Sequence, residues 1–324
     1  MLLAMAAWGC LLFPRLAVSQ DSPEVHIVPR VSLPPHGPRL AGNLSRTETL
    51  KSSVDLVLVP VTVTDDMGRI VTGLAKSNFV VYQDKRREQI RSLSRDDAPI
   101  SVGIIWDTSG SMADKMANAR EGIKTFLETA NPKDEFFLIT FSDQLELVSD
   151  FTANIDDIES KLVFPQAHGE TALLDAVYLG ISEMRHAHYA RKALLIISDG
   201  GDNHSRYTEG EVKDVVEEAD VQIFAIGLFD EFPRTQEEEE GPSLLTEVAE
   251  ATGGRMFSID NPNELSHVAT KIGIALRDEY VLAYQPPTKP HDGKWHKIRV
   301  KLHLPKGLPF LHASFKQGYY APVE

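Results

Sequence analysis

Ile104-Ile105-Trp106-Asp107-Thr108-Ser109-Gly110-Ser111-Met112 is an apolar run that stops at an acid and turns through hydroxyl residues and a glycine. It reads as a buried strand with Asp107, Ser109 and Ser111 at its carboxyl end. In an open α/β sheet the crevice outside those strand ends is where ligands bind.

Outward from this stretch, buried strands alternate with amphipathic helices. Strands are expected at 101–106, 136–141, 193–197, 221–226 and 256–259, with an extra short one at 145–151. Helical spacings of three and four occur in four sets: Met116, Ala119, Ile123 and Phe126; Leu173, Val177, Ile181 and Met184; Val212, Val215 and Ala219; Leu265, Val268, Ile272 and Ala275. Asn261 and Pro262 make a cap and first-turn pair for the last of these. The fold class is therefore α/β, a doubly wound, mainly parallel sheet covered by helices on both faces.

On either side the period changes to two. Val57, Val59, Val61 and Val63 precede a turn at Asp65-Asp66-Met67-Gly68, and Phe79, Val81 and Tyr82 open another extended run. Pro60 suggests an edge or bulge. Near the other end Ile298, Val300, Leu302 and Leu304 alternate with Lys297, Arg299, Lys301 and His303, a half-buried strand whose expected partner is the run Tyr280, Leu282 and Tyr284. Both flanks leave the central domain on the same side, so together they are expected to form one small flanking β-sandwich. The expected organisation is a signal peptide at 1–19, a flexible tether at 20–53, an N-terminal β flank at 54–98, the α/β domain at 99–277 and a C-terminal β flank at 278–324.

Of 324 residues, 42% are hydrophobic and 25% are charged, which excludes a natively disordered chain. The formal net charge of -14 argues against nucleic acid or an anionic membrane as partner and leaves cationic or metal-bridged partners open. Residues 2–13 are apolar and are followed by Ala17, Val18 and Ser19, the pattern of a secretory signal peptide. A buried helix is the competing reading, because no Lys or Arg precedes the run. On the preferred reading the protein is exported, to a periplasmic, cell-surface or secreted location. The stretch is too short to span a bilayer, and no later apolar run is long enough for a transmembrane segment. Cys10 is the only cysteine, so the mature chain would carry no disulfide, and a lipid anchor on Cys10 is a minor alternative. Asn43-Leu44-Ser45 is a glycan acceptor triplet that matters only in a eukaryotic source.

Three segments should bring oxygen ligands to one end of the sheet: Asp107, Ser109 and Ser111 after the first central strand, Thr171 in His168-Gly169-Glu170-Thr171-Ala172, and Asp199 in Leu195-Ile196-Ile197-Ser198-Asp199-Gly200. Carboxylates and hydroxyls are hard donors that suit Mg²⁺, with Mn²⁺ or Ca²⁺ as alternatives, and suit zinc poorly. Two acids and three hydroxyls leave such an ion short of ligands and of negative charge. Water or a partner's carboxylate would complete the shell.

The D-T-S-G-S motif at 107–111, Thr171 before a helix and Asp199 in S-D-G resemble the metal-ion-dependent adhesion site (MIDAS) of von Willebrand factor type A (VWA) domains. The likeness covers about 99–276, and the flanks are similar to those of exported proteins with such domains in acidobacteria. It implies a Rossmann-like VWA fold, Ser109, Ser111 and Thr171 as hydroxyl ligands, and Asp107 and Asp199 acting directly or through water. Glu170 stands where the family commonly has a second glycine.

Other polar features have plainer readings. Gly110 and Gly200 relax tight turns, and Trp106 belongs to the core. Asp202, Asn203, His204 and Arg206 either reach a ligand or form a solvated loop. His186 and His188 read as helix-end cations, and Glu237 to Glu240 as a solvated charge run on the metal side. The expected function is an exported adhesion or protein-binding module, not an enzyme, that captures an acidic group through the metal, with its oligomeric state open. The alternative is a metal-dependent phosphatase-like hydrolase on a similar sheet. That chemistry needs a D-x-D pattern, and Ser109 stands at its second acid.

Overall fold

The computed structural model describes residues 56–95, 98–230, 233, 235–286, 292–304 and 310–321. The signal-peptide and tether assignments, Cys10 and Asn43 lie outside the described residues. In chain order the elements are β1 (Val57–Asp65), β2 (Phe79–Gln83), β3 (Arg86–Glu88), β4 (Ile90–Ser94), β5 (Ile100–Asp107), α1 (Met116–Leu127), β6 (Glu135–Phe141), β7 (Leu145–Thr152), α2 (Ile155–Lys161), α3 (Leu173–Glu183), β8 (Arg191–Ser198), α4 (Glu209–Glu218), β9 (Gln222–Gly227), α5 (Gln236–Ala251), β10 (Met256–Ser258), α6 (Leu265–Arg277), β11 (Tyr280–Tyr284), β12 (Trp295–Leu302), β13 (Leu311–Phe315) and β14 (Gly318–Tyr320).

The central sheet has the order β10-β9-β8-β5-β6-β7, parallel except for the edge strand β7. Every residue of β5 is buried, as an apolar run packed on both faces requires. Alternation divides its side chains between two cores. Val102, Ile104 and Trp106 meet Ile123 and Phe126 of α1 and Ile272 of α6, whereas Ile105 joins Val177 of α3, Val212 of α4 and Leu245 of α5. Gly103 is required where β5 passes β6, because a Cβ there would lie 2.2 Å from Phe137 Cζ. Chain connections leave β5 and β8 in opposite directions, toward β6 and toward β9, so the crevice between these neighbours is the sheet's switch point.

The flanks build two antiparallel four-stranded sheets, β13-β1-β11-β4 and β14-β12-β2-β3. Val59, Val61, Val63, Tyr280 and Leu282 from the first share a core with Phe79, Val81, Ile298 and Val300 from the second. One pairing differs from expectation. β12 pairs with β2 and β14, while β11 pairs with β1 and β4, so the two runs expected to be partners lie in opposite sheets. Period-two alternation fixes which face a strand buries but does not choose its neighbour, and the long connection after Tyr284 lets the chain cross between sheets.

Pro60 lies in an interior strand, yet in its half-paired part. β13 covers only Val61 to Asp65, and beside Pro60 the one neighbour is Val281 of β11. The missing N–H can therefore forgo a ladder bond on the β11 side at most. At the start of α6, Asn261 caps a 3₁₀ turn, Pro262–Glu264, through a bond from Asn263 N–H to its Oδ1 at 3.1 Å, and the α-helix begins at Leu265. Two helices beyond the four expected also form. α2 is short, and α5 opens with the glutamate run, its N-cap Thr235 accepting from Glu238 N–H at 3.2 Å while the acids complement the helix's positive end.

Asp278 and Glu279 alone separate α6 from β11. Glu279 is 3% exposed and accepts from Gln222 Nε2 at the start of β9. Burial raises its carboxyl to about 7, against the opposing influence of Gln222 and Arg191. A raised acid favours the protonated folded state, so this residue's cost to stability grows as pH rises from the ordinary value of 4.5 and is complete above about 7. Thermal melts of E279Q should accordingly show a gain over the wild type that is larger at about pH 8 than at about pH 5. A pH-independent difference would contradict this assignment.

Candidate functional site

β5 and β8 end side by side, which brings Asp107 and Asp199 to the switch point. Asp107 is fully buried. Its Oδ1 accepts from Ser109 N–H at 2.8 Å, and its Oδ2 accepts from Ser198 Oγ at 2.5 Å. Burial pushes this carboxyl up, and the negative charge of Asp199 pushes it further in the same direction, against the Ser109 and Ser198 hydrogen bonds. Ser109 precedes a 3₁₀ turn, Gly110–Met112, that returns Ser111 toward it, and the two hydroxyl oxygens stand 3.1 Å apart. Ser109 is buried and Ser111 is exposed, so the pair faces outward from the crevice.

The Thr171 loop is tied to this turn by backbone bonds. Gly110 N–H donates to Gly169 O at 3.1 Å, and His168 N–H donates to Thr108 O at 2.9 Å. Gly169 adopts φ +74° and lies so close to Asp143 that a Cβ would come within 2.0 Å of its Oδ1. Thr171, 5% exposed, is held from the other side: its N–H donates to Asn203 Oδ1 at 2.9 Å, and its carbonyl accepts from Asn203 and His204 N–H.

All three predicted segments thus meet at the carboxyl edge of the sheet. Asp107, Ser109 and Ser111 are joined through hydrogen bonds, and Asp199 acts on Asp107 electrostatically. Thr171 joins them through its loop's backbone.

The loop after Asp199 supports the site from behind. Asp202 accepts from Leu174 N–H and Ser205 Oγ, and Arg206 pairs with buried Asp175 at 3.0 Å. His204 pairs with Glu170 at 2.5 Å. Gly200 has φ +83° and passes against the Gly241 backbone, where a Cβ would sit at 2.9 Å. A groove of about 710 Å³, lined by Asp143, Tyr178, Arg206 and Tyr207 among others, runs beside the Thr171 loop. His186 and His188 play no part here, being paired with Glu183 and Glu135 respectively.

Two contributors had no distinct signal in the sequence. Ser198 is an unremarked strand residue until β8 is laid beside β5, whereupon it donates to Asp107 and accepts from Gly200 N–H at 2.9 Å. Lys115 reads as an ordinary polar residue before α1, yet it is 5% exposed and its Nζ lies 3.4 Å from Asp199 Oδ2 and 3.3 Å from Asp230 Oδ1. Burial beside a strand-end acid is visible only in three dimensions.

The donor set fits a hard divalent cation. Burial and the neighbouring Asp199 both raise the cost of ionising Asp107, and a cation between the two acids would relieve it; the hydroxyl pair adds neutral oxygens. Among the described residues no group of three or more His, Cys, Asp or Glu is placed to hold a metal.

An α/β domain with hydroxyls and acids gathered at a strand switch point defines a class of fold, and part of it matches a known domain model. Residues 102–201 match the family model of the von Willebrand factor type A domain, and the chain carries a domain of that type. Its fold is similar to a von Willebrand factor type A structure from Catenulispora acidiphila, with 14% identity, a TM-score of 0.50, and coverage of 84% of this chain and 75% of that one. It is also similar to proximal thread matrix protein 1 from the mussel byssus, solved with a zinc-occupied MIDAS motif, at 18% identity and a TM-score of 0.48 over 60% of this chain and 49% of that one. An uncharacterized protein of Borreliella burgdorferi is 22% identical over 189 residues, 51% of this chain and 55% of that protein. The chain therefore spans about half the length of that curated relative.

Ser198→Ala removes a donor from buried Asp107 and an acceptor from Gly200. Leaving such groups unpaired should cost ~1–3 kcal/mol of unfolding free energy. Chemical denaturation with an unchanged slope and a lowered midpoint is the expected result, and an unchanged midpoint would remove Ser198 from the support of the site.

Proposed function

We propose that the protein is an exported binding module that captures an acidic group of a partner through a divalent ion, preferably Mg²⁺, with Mn²⁺ or Ca²⁺ able to substitute. Asp107, Ser109, Ser111, Thr171 and Asp199 would hold that ion, the two acids directly or through water. The bound ion would supply a positive centre at the mouth of the crevice able to accept a carboxylate oxygen. The observation that carries this reading is the buried Asp107 carboxylate beside Asp199, with the Ser109–Ser111 hydroxyl pair at its rim.

The chain's own residues do the positioning. Ser109 N–H and Ser198 Oγ fix both oxygens of Asp107, and the Asn203 side chain fixes the Thr171 backbone. Ser111 is exposed where a partner could approach. Export is supported by the pattern of residues 1–19, and no helix among the described residues is long and apolar enough to cross a membrane. The organisation into a VWA-like domain at 99–277 with β flanks at 54–98 and 278–324 belongs to the same proposal, as does the absence of an enzymatic reaction.

Calorimetric titration of the purified chain with Mg²⁺ and Mn²⁺ tests it. One ion should bind per chain, and D107A should lose binding while circular dichroism shows the fold retained. A ligand that binds only the folded state adds ~2.7 kcal/mol of stability at a hundred times its dissociation constant, so the wild type alone should melt later on adding metal. Equal binding by D107A would remove this site from the account.

A further inference from the structure

Lys115 is the one basic side chain that the described contacts place on a proposed metal ligand, and its position is costly. It is the N-cap residue of α1, and its Nζ is withdrawn from solvent at the positive end of that helix. The first turn of α1 contains no acid, and no side chain caps its free N–H groups. A buried ammonium there persists only if carboxylates compensate it. Asp199 and Asp230 do so. The first is 5% exposed and the second 48%, so the lysine bridges an acid inside the crevice and one at its margin.

We propose that Lys115 is a built-in counter-ion that competes with the metal for Asp199 and is passed to Asp230 when the metal binds. This inference rests on the metal-site reading given above. Without metal, the ammonium offsets part of the repulsion between Asp107 and Asp199. With metal, the same positive charge lies close to a divalent ion and weakens its binding. Lys115 thereby keeps the metal's affinity low in the absence of an anionic partner. A partner's carboxylate restores the negative charge that the lysine has cancelled, so metal and partner should bind cooperatively.

The charges around Lys115 make this specific. It faces Asp199 after β8 and Asp230 after β9, while Asp107, the last residue of β5, interacts electrostatically with Asp199. The flexible four-carbon stem allows the ammonium to move from one acid to the other without a backbone change.

Titration of the full-length chain with Mn²⁺, by calorimetry and by thermal melts with and without chelator, tests the inference. K115M and K115Q should bind Mn²⁺ about tenfold tighter or more, the order expected when one like charge is removed from beside a divalent ion. Both should melt earlier than the wild type in chelator and gain more on adding Mn²⁺. Using two variants guards against one failing to fold. D230N should bind Mn²⁺ more weakly than the wild type, with a smaller loss in the K115M background, because no ammonium then needs a resting place. Binding by the lysine variants alone, with none by the wild type, would also support the inference. Folded K115M and K115Q with wild-type or weaker affinity would overturn it and leave the metal site standing. Absence of Mn²⁺ binding in every protein would overturn the metal-site reading and this inference together.

Discussion

A carboxylate with no exposure to solvent must be compensated, and Asp107 is the point at which this chain meets that requirement. Two hydrogen bonds stabilise its charge, while burial and the neighbouring Asp199 oppose it. Each donor comes from an element placed for other reasons. Ser109 follows from the turn that ends β5, and Ser198 from the register that pairs β8 with β5. Those strands are rigid because side chains cover both of their faces. The polar cluster therefore inherits its geometry from the apolar core, as a preorganised site should.

Much of this arrangement could be read directly from the residues. β5, β8 and β9 are short apolar runs bounded by turn residues, and four of the six helices show clear amphipathic spacing. The oxygen cluster was legible because its key part is local: three donors within five residues, followed by a threonine just before α3 and an acid just after β8. α5 escaped because its first turn is all charge and Pro242 interrupts its early pattern. The β11–β12 pairing was misjudged because two strands that both bury alternate residues fit several sheets equally well. Lys115 and Ser198 acquire their roles from neighbours far away in sequence, at Asp199 and Asp107 respectively, and no short-range pattern encodes such contacts.

The sandwich and the oxygen cluster occupy opposite ends of the central sheet. Arg191, at the start of β8, donates to Ala98 O and Leu276 O, and Lys316 reaches Ala219 O at the start of β9. These contacts tie the flanks to the amino edge of the strands. β5 spans eight residues, so about 25 Å of sheet lies between that edge and Asp107. The carboxyl edge is left for its own loops, and a partner arriving there would meet the hydroxyl turn and the adjoining groove without crossing the sandwich.

The place of β1 between β11 and β13 has a consequence for how the protein is made. A ribosome delivers β1 more than two hundred residues before either partner, with the whole α/β domain in the interval. During that time the hairpin of β2 and β3 is the only pairing open to the first four strands from within their own number. The valine ridge of β1 must wait, exposed, as a strand edge able to template contacts with other chains. Such sequence-distant pairings form slowly because a large loop must close before they gain anything. The centre of the molecule has all its strands together once β10 has emerged, whereas the sandwich stays open until the final strands arrive. β13 thus fastens β1, and a nascent protein halted before β13 would present a finished head on an unfinished neck.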